Sequence, residues 1–172
     1  MKLRPVVYMG IVVVAVLSRL IPHAPNFTSI GALALFAGAS FQGRFMAFAV
    51  PIAAMLLSDA VLGFHGEMPA VYAAFLLTVL MGRYLRRSGH SSGLVSVGAA
   101  SVLSATMFYL LTNFSVWLNS GMYPHTIAGL LTCYTMAIPF FGNMLASTVV
   151  YSLVMFGAAR LADRTVLRPV TT

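Results

Sequence analysis

Apolar stretches of near-membrane length follow one another along almost the whole chain, and the charged residues are confined mainly to the gaps between them. When these stretches are threaded through a bilayer in order, nine of the ten Lys and Arg residues fall on one side. These are Lys2, Arg4, Arg44, Arg83, Arg86, Arg87, Arg160, Arg164 and Arg168, with Arg19 as the exception. Cytoplasmic segments carry such an excess of basic residues, so that side is expected to be cytoplasmic, with both termini inside. Of 172 residues, 60% are hydrophobic and only 8% charged, and mean hydropathy is +0.93. So little polar surface cannot cover a water-soluble core. The expected fold class is therefore all-α, a polytopic membrane protein built as a six-transmembrane-helix bundle in one integral membrane domain, residues 1–172.

The net charge of +7 does not point to nucleic acid, because the basic residues punctuate apolar spans instead of forming one surface patch. They report orientation and contact with anionic membrane lipid. The first apolar segment has a charged start but runs straight into further spans, so it reads as a retained helix and not a removed signal peptide. A single cysteine, Cys133, excludes an internal disulfide and any multi-cysteine metal cluster.

Breakers divide the chain. A first helix over 6–20 ends at Pro22 and Pro25, because proline lacks a donor and clashes with the preceding turn. A second stretch over 28–41, rich in small residues, barely spans a hydrocarbon core at about 1.5 Å per residue. Further spans are expected over 45–64, 69–85 and 94–118, with Pro69 suited to a first helical turn. The last apolar run, 126–161, is far longer than the roughly 20 residues of one crossing and contains Pro139 and Gly142. It is expected to split into an outer or re-entrant segment, 126–138, and a sixth span, 141–161. Small residues four apart, Ala34 with Gly38, Ala49 with Ala53 and Ala100 with Ser104, suit close helix packing or the docking of a partner.

On this threading the polar side chains gather near the external face. Asp59 lies inside an otherwise apolar helix, where an ionisable group costs on the order of 3 kcal/mol and calls for a partner or a watered cavity. Arg19, at similar depth, is the expected ion-pair partner, either to fasten two helices or to line a pocket. Asn113 and Trp117 are four apart and share a helix face, an amide beside an indole, although Trp also gathers at bilayer interfaces. Asn143 reads like Asn113. The expected substrate-binding residues are Asn26, Asp59, His65, Asn113, Trp117 and Asn143.

His23, His65 and His125 fall one in each outer loop, with no close spacing and no HExxH signature, so no metal is assigned. One alternative is a membrane enzyme using Asp59 and His65, six residues apart, although proximity alone is poor evidence for an acid and base pair. No GxxxxGK loop and no GxSxG elbow occurs, so the chain is not expected to be an enzyme, and no cofactor is expected.

Three stretches carry a family resemblance: PHAPNFTSIGALALFAGASF at 22–41, PIAAMLLSDAVLGFHGEMPAVY at 51–72, and TNFSVWLNSGMYPHTIAGLLTCYTMAIPFFGN at 112–143. Together they resemble an uncharacterised bacterial membrane family, a domain of unknown function associated with transport. That family is in turn similar to the substrate-binding S components of energy-coupling-factor (ECF) vitamin transporters. The resemblance implies a six-helix bundle in the bacterial cytoplasmic (inner) membrane that captures a small vitamin-like or cofactor-like substrate from outside. It also implies a partner, an energising transmembrane and ATPase module. S components resemble one another in docking through an alanine-spaced motif on the first helix; here Ala15 is followed four residues later by Arg19. The alternative expectation is a structural or assembly protein of the membrane that binds no small molecule.

Overall fold

The computed structural model describes the backbone of residues 3–89 and 93–166 and the side chains of 6–89 and 93–163. Lys2, His90 and Arg168, the side chains of Arg4 and Arg164, and the two chain ends lie outside the described residues, and so does their share of the sidedness expectation.

All regular structure among the described residues is helical: α1 (Leu3–Leu20), α2 (Ile30–Ser40), α3 (Arg44–Leu62), α4 (Met68–Arg87), α5 (Leu94–Asn119) and α6 (Ile127–Val166). The boundaries follow local chemistry. α1 stops just before Pro22, α4 begins with Pro69 in its first turn, and α3 ends at Gly63, whose φ of 101° lies in the left-handed region that favours glycine.

Four helices are long and apolar enough to cross a membrane: α3, α4, α5 and α6 over Ile127–Asp163. The apolar helices Val6–Leu20 and Ile30–Ser40 are shorter. The outward faces are apolar as well, with Val14, Leu57, Val61, Leu103, Leu131 and Val154 among the large exposed side chains. A surface of this kind suits lipid and not water.

α2 is the organising element. It touches all five other helices, and Ile30 through Ala39 are all buried, so it has no outward face at all. Its 11 residues measure about 17 Å, roughly half a hydrocarbon core. The stretch expected as a short span is thus a sheathed central helix. Its backbone polar groups are satisfied by the helix itself, and its neighbours keep it from solvent. At its start the Ser29 hydroxyl donates to the Ala15 carbonyl at 2.7 Å and accepts from Ser18 at 2.8 Å, which fastens α1 to α2. Further along, the α2–α4 crossing is so tight that a Cβ on Gly38 would run into the Val79 carbonyl, and one on Gly82 into the Leu35 carbonyl.

The expected division of the last apolar run does not occur. Residues of the supposed outer segment, 126–138, and of the supposed sixth span, 141–161, lie on the single 40-residue helix α6, which continues through Pro139. An internal proline removes one backbone hydrogen bond, and contacts with α5 on either side of Pro139 hold α6 in place. Tyr109 Oη donates to the Tyr134 carbonyl at 2.7 Å, Tyr134 Oη to the Leu110 carbonyl at 2.8 Å, and the Tyr109 ring lies 4.7 Å from that of Phe141.

The connectivity gives the bundle two unlike ends. The starts of α1 and α3 and the finish of α4 lie at one end, which carries Arg44, Arg83, Arg86, Arg87 and Arg160 and is called here the basic end. The opposite end holds the α1–α2, α3–α4 and α5–α6 connections.

Candidate functional site

At the end opposite the basic one, two polar groups form between the helices. In the first, Asp59 is buried near the finish of α3 and both its oxygens are engaged. Oδ1 pairs with Arg19 Nη2 at 2.6 Å, and Oδ2 accepts from Tyr72 Oη at 2.8 Å. Arg19 also donates to the Ser58 hydroxyl and, at 3.5 Å, to the Met55 carbonyl. Three helices, α1, α3 and α4, are thereby tied at one depth. The expected Arg19–Asp59 pair is present, and it fastens helices; no cavity residue of the neighbouring cleft belongs to it.

The second group lines a cavity of about 190 Å³ between the α1–α2 connection, the start of α4, the C-terminal half of α5 and α6. Asn26, Glu67, Thr112 and Asn113 provide its polar lining. Its walls include Phe108, Tyr109, Phe140 and Phe141. Each polar group has a defined state. Thr112 donates to the Phe108 carbonyl, and Asn113 Nδ2 donates to the Tyr109 carbonyl at 2.8 Å, which leaves Asn113 Oδ1 as the amide's unused acceptor among the described residues. Glu67 Oε2 accepts from the Ser115 hydroxyl at 2.7 Å, and among the described residues Glu67 makes no ion pair. The cleft therefore presents acceptor oxygens and one carboxylate, framed by aromatic rings.

Asn26 holds a left-handed backbone, φ 61°, and is the one non-glycine residue to do so among those described. Asparagine tolerates this region better than most residues, and such conformations persist where surroundings enforce them. Here the Phe27 N–H donates to the Ala24 carbonyl at 2.9 Å, and Asn143 Nδ2 donates to the Pro25 carbonyl at 2.9 Å. Asn143 thus braces the loop that carries Asn26 and does not line the cleft itself.

Of the six expected site residues only Asn26 and Asn113 line the cleft; Asp59 and Asn143 stand beside it, and His65 and Trp117 stand apart as well. His65 is exposed in the α3–α4 turn, where its carbonyl accepts from the Met68 N–H, and it is not among the residues that line the cleft. Trp117 donates from Nε1 to the Pro124 carbonyl at 3.0 Å and packs its ring against Phe114 and His125, so it closes the α5–α6 connection. Asn113 and Trp117 share a helix face, yet one helical turn separates the cleft from the connection that Trp117 seals. Among the described residues no three His, Cys, Asp or Glu side chains cluster as metal ligands.

Glu67, Tyr72 and Tyr109 are the participants not assigned from the sequence. A signal for Tyr72 exists: Asp59 and Tyr72 flank the α3–α4 turn at nearly equal distances, which sets them opposite each other in a helical hairpin. Glu67 stands just before the start of α4, two residues ahead of Pro69, and looks like a solvated turn residue, and nothing local announces its contact with Ser115 of α5.

No curated protein and no solved structure matches this chain. The profile of one family, described as a family of unknown function (DUF6580), matches residues 1–170. That match covers nearly the entire sequence, and the chain belongs to this family.

Proposed function

We propose that the protein sits in the bacterial cytoplasmic membrane with its basic end toward the cytoplasm and captures a small molecule at the external end, in the cleft between α4, α5 and α6. The observation that carries this reading is the convergence of Asn26, Glu67 and Asn113 on one aromatic-walled cavity of about 190 Å³. Ligand sites combine such apolar walls with a few convergent polar groups. The volume falls below the roughly 300 Å³ at which drug-sized sites begin, so the ligand is small, a single ring or less. Unused acceptors, a carboxylate without a counter-ion and aromatic faces favour a hydrogen-bond donor or an organic cation. The resemblance to S components supports a substrate-capture role, with an energising module as partner. In this reading the chain is a carrier and not a catalyst.

Native mass spectrometry of the purified full chain tests the assignment, first for a co-purified small molecule and then with a panel of small amines and heteroaromatic cations. Wild type retains a ligand, and Glu67→Gln and Asn113→Leu each weaken retention about tenfold, the loss of one charge-assisted or buried hydrogen bond. Equal retention by all three proteins sinks it. A second reading, a structural or assembly protein, draws on the polar groups that satisfy one another, Arg19 with Asp59 and Tyr72 above all. It expects only water in the cleft and no retained molecule in any of the three.

A further inference from the structure

The basic end carries a groove that the capture reading does not use. A cavity of about 360 Å³ opens between α3 and α4, lined by Arg44, Phe48, Leu80, Arg83, Tyr84 and Arg87. Arg44 is the first residue of α3, and Arg83 and Arg87, four apart, share one face of the last turns of α4. Three arginines thus line one space, and Arg83 lies in the repulsive field of Arg44, Arg86 and Arg87.

Nothing acidic answers them. The chain has three carboxylate side chains: Asp59 and Glu67 belong to the opposite end, and Asp163 lines a separate cavity beside Arg86 and Arg160. Among the described residues Arg44, Arg83 and Arg87 form no ion pair, and Nη1 of Arg83 is buried without a hydrogen-bond partner. A buried, unsatisfied guanidinium N–H beside two like charges is costly, and the cost is removed by an anion that accepts from it.

The groove also has a direction. One helical turn deeper from Arg44 stands Phe48, and roughly one turn deeper from Arg83 and Arg87 stand Leu80 and Tyr84; Leu80 is 49% and Tyr84 75% exposed. The innermost lining residue on each wall, Phe48 on α3 and Leu80 on α4, is therefore apolar, with the arginines nearer the end of the bundle. That gradient matches an amphiphile, and guanidinium forks match phosphate oxygens.

We propose that the α3–α4 groove binds an anionic phospholipid, with its phosphate held by Arg44, Arg83 and Arg87 and the start of its acyl chain lying along Phe48 and Leu80. Basic pockets between membrane helices on the cytoplasmic side bind such headgroups. The site is separate from the small-molecule cleft and stands whether or not that cleft binds anything.

The test is native mass spectrometry of the full chain in detergent, titrated separately with phosphatidylglycerol, phosphatidylcholine and glycerol phosphate. Wild type holds one phosphatidylglycerol at collision energies that strip phosphatidylcholine, and glycerol phosphate does not compete. Arg83→Gln lowers the retained fraction about tenfold, as does Arg44→Gln, an exposed position where folding is not at stake. Arg160→Gln, on another cavity of the same end, leaves it unchanged. Retention equal to wild type in both Arg44→Gln and Arg83→Gln overturns the proposal. So does an equal loss in Arg160→Gln, which signals diffuse attraction, and so does competition by glycerol phosphate, which assigns the groove to a soluble anion.

Discussion

Asp59 has both oxygens engaged by partners on other helices, and this decides how substitution there plays out. Removing one member of a buried pair strands the other, at a typical cost of about 3 kcal/mol or more, whereas replacing both by apolar residues is often nearly neutral. The Arg19 side chain is 16% exposed, too little for it to be fully rehydrated without moving. Asp59→Leu is therefore expected to lower stability by about 3 kcal/mol, and Arg19→Leu combined with Asp59→Leu to recover most of that loss. Tyr72→Phe removes a single interhelical hydrogen bond and costs about 0.6 kcal/mol. Unfolding midpoints in detergent check the set, and a double variant as unstable as Asp59→Leu alone shows that the pair is not what holds α1 to α3.

At the scale of elements, two glycines set the core. Gly38 and Gly82 face each other across the α2–α4 crossing, where a methyl group would meet backbone carbonyls that no rotamer change can move aside. Small residues at such crossings permit the close approach on which helix association in lipid depends. Gly82→Ala is expected to cost about 2 kcal/mol or more through overpacking. Gly98→Ala, with open space around the added carbon, costs nothing and gains slightly in helix propensity. Thermal unfolding in detergent separates the two, and equal midpoints contradict the close crossing. Helix positions were readable from breakers: helices expected over 45–64, 69–85 and 94–118 form at Arg44–Leu62, Met68–Arg87 and Leu94–Asn119. The burial of α2 was not readable, because a helix that is apolar all round has no periodicity to show whether lipid or protein surrounds it. Nor was the continuity of α6, since contacts on either side of Pro139 hold the helix in place, and those contacts come from α5. The site was half legible for the same reason. Position near one end of the bundle brings Asn26 and Asn113 to one cleft, but the loop contacts that hold Trp117 one turn further along the same face, and the exposure of His65, are properties of the assembled bundle.

Taken as a whole, the described residues separate their chemistry by end: a cluster of arginines at one, where Arg44, Arg83 and Arg87 form no ion pair, and amides, a carboxylate and a neutralised ion pair at the other. In a membrane this asymmetry is the basis of the proposed orientation, since basic residues flanking spans are as a rule retained on the cytoplasmic side. Two exposed residues report on it directly, Ser88 beyond the end of α4 and His65 in the α3–α4 turn. α4 runs between them over 20 residues, about 30 Å, which matches one hydrocarbon thickness. With the buried native thiol removed as Cys133→Ala, single cysteines placed as Ser88→Cys and His65→Cys are expected to label from opposite sides of the membrane. An impermeant maleimide added to intact cells or spheroplasts reaches His65→Cys at once and Ser88→Cys only after the membrane is opened. The reverse pattern puts the basic end outside, which removes the external cleft and takes the arginine groove away from the cytoplasmic leaflet. Labelling of both from one side means that α4 does not cross, and the threading of the bundle fails with it.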